Sequence, residues 1–102
     1  MGRHLAGVDL RRASLRGAYL IGTNLAGADL RRADLAGADL RGAQLAGADL
    51  STSLFVTQAQ LDAARGDART KLPPALRRPA HWASPGARPA RPNREPRPGG
   101  GR

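Results

Sequence analysis

The residues able to act as acids, bases or nucleophiles are few and far apart in the sequence. His4 lies at the start of the chain and His81 in its C-terminal part, and the serines have no histidine close in sequence to activate them. The glycines follow a five-residue rhythm, unlike a phosphate-binding loop between a strand and a helix. Because catalysis needs groups that converge in a concave site, the sequence predicts no catalytic residue, no enzyme activity and no cofactor.

Acidic and basic side chains recur with the same spacing. Asp9, Asp29 and Asp49 are spaced twenty residues apart. Arg11 and Arg31 have the same spacing and follow the first two of these aspartates by two residues. Carboxylates stacked on a flat face lack the enclosing oxygen ligands that calcium requires, and the chain has no cysteine for a thiolate site. We therefore expect no bound metal and interpret these residues as a surface of weak ion pairs.

A binding role for this surface rests on its arginines and on one apolar spot. Tyr19 and Ile21 flank Leu20, and both are expected to point outward on an otherwise polar surface. Aromatic side chains often dominate protein contacts, so this spot is the first choice for a partner contact. The predicted contact residues are Tyr19, Ile21, Arg11, Arg12, Arg31 and Arg32.

From Leu5 to Phe55 an apolar residue recurs at every fifth position and forms the centre of each unit, and this five-residue period must position all of these side chains. A 3.6-residue helix would spread such a period around its circumference, and a strand would send alternate centres to opposite faces. The chain must therefore turn once per unit, with the centres and the small residues two positions before them inward and Asp and Arg outward. The predicted core is Leu10, Leu15, Leu20, Leu25, Leu30, Leu35, Leu40, Leu45, Leu50 and Phe55.

A longer period of twenty residues lies over the shorter one. Residues 5–24 match the residues twenty positions later at roughly 13 of 20 places, against roughly 7 to 9 for shifts of five, ten or fifteen. Four units with near-right-angle turns would close one coil. Residues 1–56 then form one domain of about 2.75 coils, stacked at the spacing of neighbouring strands.

The repeated pattern A(D/N)LXX resembles the pentapeptide-repeat family of bacteria. It is seen at Ala28-Asp29-Leu30, Ala33-Asp34-Leu35, Ala38-Asp39-Leu40 and Ala48-Asp49-Leu50. The resemblance implies an all-β solenoid, a right-handed quadrilateral β-helix. The abundance of Ala, Arg, Gly and Pro is typical of a GC-rich, actinobacterial genome.

The regular pattern ends after Phe55, because Gln60 stands where the next leucine would be. Thr57 and Gln60 have the spacing of a capping box, which predicts a capping helix over 57–66 that ends at Gly66. This part of the chain is similar to the C-terminal ending of many bacterial members of the family.

Beyond the predicted helix the sequence favours irregular structure. Prolines predict an irregular segment at 67–82, in which Trp82 either docks or remains exposed. Residues 83–102 are rich in Pro, Arg and Gly and are predicted to be a disordered basic tail.

Three functions fit these observations. The first is a non-enzymatic protein-interaction or scaffold module that binds an unknown protein or a second copy of itself, because residues 1–4 cover little of the first coil. The second is nucleic-acid binding through the basic tail, since residues 57–102 hold ten basic and three acidic side chains. The third is implied by the resemblance: some members shield type II topoisomerases by mimicking duplex DNA. DNA mimicry requires a strongly acidic surface, but residues 1–56 hold seven Arg and five Asp. Of the three functions, mimicry is therefore the one that the sequence favours least.

The expected location follows from what the sequence lacks. No apolar run is long enough to span a membrane, and no signal-peptide core is present. We therefore expect a cytoplasmic protein that does not contact a membrane.

Overall fold

The computed structural model describes residues 3–82, and in this part the backbone returns to the same position every twenty residues. Single-residue parallel bridges mark each return. They join His4 to Asn24, Asp9 to Asp29, Ser14 to Asp34, Tyr19 to Asp39, Asn24 to Gln44, Asp29 to Asp49 and Asp34 to Leu54. The predicted twenty-residue register is confirmed by these pairs. Each bridged piece is a single residue, and residues 3–82 contain no β-strand longer than that.

Each coil is hydrogen-bonded to the next along both edges of its short bridged pieces. Leu30 N donates to Asp49 O at 2.9 Å, and Asp49 N donates to Ala28 O at 3.0 Å. Seven predicted core leucines are buried: Leu20, Leu25, Leu30, Leu35, Leu40, Leu45 and Leu50. Leu10 and Leu15 are partly buried, because only the following coil among the described residues packs against the first one.

The turns between units use the left-handed backbone conformation. Glycine occupies it at seven positions, with φ between 65° and 71°, as expected for a residue without a Cβ. Arg12 and Arg32 occupy the same kind of turn with φ of 64° and 61°. Among the described residues with this left-handed conformation, only these two carry a long cationic side chain.

The prediction that Phe55 belongs to the core is wrong. Its φ is 63° and 66% of its surface is exposed, whereas the neighbouring Val56 is partly buried against the core. Leu54 still completes a bridge to Asp34, so the chain leaves the coil directly after that bridge. The left-handed turn at Phe55 directs the backbone toward the helix and leaves the ring outside.

Helix α1 spans Gln58–Ala63 and begins with the predicted capping box. Thr57 Oγ1 accepts from Gln60 N at 3.2 Å, and Thr57 N donates to Gln60 Oε1 at 2.8 Å. The helix ends earlier than predicted, because Ala64 is the C-cap in an extended conformation and Gly66 plays no part in its termination. This early end allows the next residue, Arg65, to rejoin the stack through a bridge to Gln44.

The stack continues past the predicted boundary at residue 56. Arg65 and Lys71 add bridges to Gln44 and Asp49, with separations that exceed twenty by one and two residues. Trp82, whose position the sequence left open, is docked and only 2% exposed. The predicted disordered tail at 83–102 lies outside the described residues. Within those residues, no helix has the length and apolar character needed to cross a membrane.

Candidate interaction surface

The outer face of the coil carries repeated arginine–aspartate pairs. Arg11 Nε and Nη2 donate to the two carboxylate oxygens of Asp9 at 2.9 and 2.8 Å. Arg31 makes the same pair of hydrogen bonds with Asp29, at 2.9 and 2.6 Å. This arrangement is local, because the Asp and Arg side chains that flank a turn lie two residues apart and face the same side. The surface of ion pairs predicted from the sequence is therefore present in these columns.

These arginines hold the carboxylates in their charged form. The side-chain hydrogen bond from Arg11 lowers the pKa of Asp9 to about 2, and the equivalent bond from Arg31 lowers the pKa of Asp29. Arg41 acts in the same way on the pKa of Asp39. The carboxylates of Asp9, Asp29 and Asp39 are thus held ionised, and each is paired with an arginine.

Four of the predicted contact residues line a single cleft. The cleft has a volume of about 320 Å³ and is lined by Arg11, Arg12, Arg31, Arg32 and Thr52. Arg11 and Arg31 are committed to their aspartates. Arg12 and Arg32, on the other hand, make no ion pair and no side-chain hydrogen bond with residues 3–82.

The predicted apolar spot is only partly exposed, and it is separate from the arginine cleft. Tyr19 is 60% exposed and Ile21 is partly buried; neither lines the cleft. Tyr19 is bridged to Asp39 in the next coil, and it lies on the side of the stack where α1 follows.

A second apolar spot was missed by the sequence reasoning. Leu54 and Phe55 are 42% and 66% exposed and adjoin the start of α1. Leu54 follows Ser14 and Asp34 in a column that is otherwise polar and outward-facing. This position in the repeat could have predicted from the sequence that Leu54 is exposed. A shallow groove of about 320 Å³ lies beside the helix, with apolar walls that include Ala38, Leu40, Ala59 and Ala63.

The two histidines have no nucleophile or metal-binding partners in the described part of the chain. His4 is exposed in the first coil, and His81 Nε2 lies 2.9 Å from Ala64 O. Within residues 3–82, no three His, Asp or Glu side chains are grouped to hold a metal ion.

Comparison with known proteins identifies the five-residue repeat. The family model described as "Pentapeptide repeats (8 copies)" matches residues 2–32 and 13–55, which together are more than half of the chain. A stretch of 30 residues is 63% identical to "Uncharacterized protein YybG" of Bacillus subtilis (strain 168). That stretch is 29% of this chain and 11% of the relative. No solved structure matches. The chain belongs to the pentapeptide-repeat family.

Proposed function

We propose that this protein is a non-enzymatic protein-interaction module, which binds a partner protein through the apolar spot formed by Leu54 and Phe55. The observation that carries the proposal is the exposure of large apolar side chains on a polar coil. Among residues 3–82 they are Tyr19, Leu54 and Phe55, which are 60%, 42% and 66% exposed. Two of the three are adjacent in sequence and stand beside the start of α1.

The conformation of Phe55 supports a role outside the fold. A bulky residue at φ 63° costs about 1–2 kcal/mol relative to glycine, which holds this conformation at seven other turns. The ring gains little in return from the core, because most of its surface is exposed. An exposed aromatic side chain is the kind of anchor that protein interfaces use.

The scaffold suits this task because it is rigid and repeated. We propose that the stack is the right-handed quadrilateral β-helix implied by the family, since four positions five residues apart in the first coil are bridged to the four equivalent positions of the second. The coil then serves to display side chains, with Leu54 in the column of Ser14 and Asp34 and Tyr19 in the separate column that it forms with Asp39. The partner is another protein or a second copy of the chain, in a cytoplasmic setting.

Two measurements test this function. Sedimentation velocity of the full chain tests self-association, and capture from lysate of the source bacterium, with and without nuclease treatment, tests for another partner. Both are repeated with a Leu54→Ser/Phe55→Gly variant, in which glycine suits the left-handed turn, and with Arg16→Gln as a surface control. The dimer or captured protein should be lost with the double variant and kept with the control.

Two results would overturn the proposal. One is a complex of equal strength in the wild type and in the Leu54→Ser/Phe55→Gly variant. The other is a chain that is monomeric and captures only material that nuclease removes, which would favour nucleic-acid binding through the basic residues instead.

A further inference from the structure

We propose that Arg12 and Arg32, together with Thr52, form a binding site for a phosphate monoester group. This site goes beyond the proposed protein contact and does not depend on it. The three residues occupy the same turn of three successive coils, and all of them line the cleft of about 320 Å³. Successive coils stack about 4.8 Å apart, so two guanidinium groups and one hydroxyl can reach the same small anion.

The charges in this cleft are not equivalent. Arg11 and Arg31 are held by two hydrogen bonds each to Asp9 and Asp29, at distances between 2.6 and 2.9 Å. Those carboxylates are therefore occupied.

Arg12 and Arg32 have no such partner within residues 3–82, whereas Arg16, for example, pairs with Asp34 at 3.0 Å. Two uncompensated guanidinium groups one coil apart constitute a site of concentrated positive charge.

The backbone gives an independent reason to treat these two arginines as selected. Seven turns in the left-handed conformation carry glycine, which adopts it without strain. Arginine stands in that conformation at only two described positions, φ 64° and 61°, and both belong to the same cleft. Strain retained at matching corners of neighbouring coils is expected where the side chain has a task.

The geometry favours a phosphate monoester over other anions. Each guanidinium presents a planar fork that matches two phosphate oxygens. A monoester carries about −1.5 to −2 charges at pH 7 and has three terminal oxygens, enough for two forks at once. A carboxylate or a phosphodiester carries a single charge and would satisfy one arginine fully. The ligand is either a phosphorylated side chain, which is such a monoester, or free phosphate, which has no ester bond but offers the same oxygens and a similar charge.

The test is a titration of the full chain with inorganic phosphate at low ionic strength, followed by NMR or calorimetry. The variant is Arg12→Gly/Arg32→Gly. Because glycine is the usual residue at these turns, the variant should melt no lower than the wild type, so a loss of binding cannot come from unfolding. The control, Arg16→Gln/Arg41→Gln, removes the same number of positive charges elsewhere.

We expect phosphate to bind at least about tenfold more weakly to the glycine variant and within about twofold of wild type to the control. Binding to wild type should also weaken from pH 7.5 to pH 5, as the dianion becomes a monoanion. A phosphoserine peptide that binds more tightly than inorganic phosphate assigns the site to phosphorylated side chains, and equal affinity assigns it to free phosphate.

Several outcomes overturn the site. The first is that phosphate does not bind to the wild type at millimolar concentration. The second is that the control loses as much phosphate affinity as the glycine variant. The third is that a duplex oligonucleotide binds to the chain but inorganic phosphate does not. The Phe55→Gly variant separates the two proposals, because it should keep phosphate binding while it loses the protein complex.

Discussion

The repeated coil up to Leu54 and the closing segment at 57–82 both fill the interior and satisfy backbone hydrogen bonds, but they use different side chains to do so. In the coil, the interior is filled by leucines and small residues, and most of the backbone hydrogen bonds between coils recur twenty residues later. In the closing segment the same tasks fall to unlike side chains. Leu61 fills the interior, fully buried, while Gln60 Nε2 donates to Leu35 O and Ala38 O at 2.9 Å.

The difference arises because a stack of coils exposes unpaired backbone groups at its end. Thr70 Oγ1 donates to Leu45 O at 2.8 Å, and Arg78 Nη1 donates to Asp67 O at 2.6 Å and Thr70 O at 2.9 Å. Side-chain donors therefore replace part of the backbone ladder that another coil would supply. Closing the stack requires an individual solution at each position, whereas extending it needs only the next repeat.

The largest effect is expected from Leu35→Ala in the repeated coil. Leu35 is 1% exposed, and deletion of its side chain should destabilise the protein by about 2–5 kcal/mol, through lost burial and the cavity left behind. Chemical denaturation measures the change. The control is Leu54→Ala, which should cost less than about 1 kcal/mol because Leu54 is 42% exposed. Equal losses at the two leucines would contradict the interior assignment.

A smaller loss is expected from Gly66→Ala in the closing segment. A Cβ on Gly66 would lie 2.5 Å from Trp82 Cε3, so the indole must move and its hydrogen bond from Nε1 to Ala64 O, at 3.0 Å, is weakened. We expect a cost of about 1–3 kcal/mol and a red shift of tryptophan fluorescence. In a Trp82→Ala background the same substitution should cost little, which a double-mutant cycle measures.

The sequence predicts the coil better than its closure, and the reason is physical. The register follows from residue types that recur at every unit, so many positions independently support the same alignment. The capping box at Thr57 and Gln60 is also local and was predicted correctly. The docking of Trp82 instead depends on the absence of a side chain at Gly66, a contact that no period encodes.

The candidate surface shows the same division. The sequence predicted outward arginines, and the two-residue spacing of Asp9 and Arg11 accounts for their pairing. What it could not show is that the side chains of Arg12 and Arg32 are left without an acidic partner among the described residues. Nor could it show Phe55 turning outward, since the centre pattern there is intact and only the left-handed turn breaks it.

Gln60→Leu restores the residue that the repeat would have at position 60, and it should nevertheless destabilise the protein. Two carbonyl oxygens lose their side-chain donor and the capping box is broken. The expected cost is about 1–2 kcal/mol by chemical denaturation. Gln44→Leu makes the same chemical change at an exposed position and should stay within about 0.5 kcal/mol. A gain in stability at position 60 would show that closure follows the repeat after all.

Acid should weaken the closing segment through Asp67. Burial alone would raise the pKa of Asp67, but hydrogen bonds from Arg69 and Gly47 outweigh it and hold the pKa below the ordinary 3.8. A lowered pKa stabilises the fold above the unfolded value, and the contribution is lost as the pH falls below 3.8 and through the folded value. The stability difference between wild type and Asp67→Asn should be constant from pH 7 to 5 and shrink toward pH 3. A difference that grows in acid would contradict this sign.

The smallest change is expected at the junction of the two regions, with Phe55→Gly. If the ring belonged to the core, its removal would cost about 3–5 kcal/mol. Because the ring is 66% exposed and the backbone is left-handed, glycine relieves strain and little burial is lost. The free energy of unfolding should stay within about 0.5 kcal/mol of the wild type or rise slightly. A loss above 2 kcal/mol would place Phe55 with the repeated core, and the coil would then end one residue later than its last bridge.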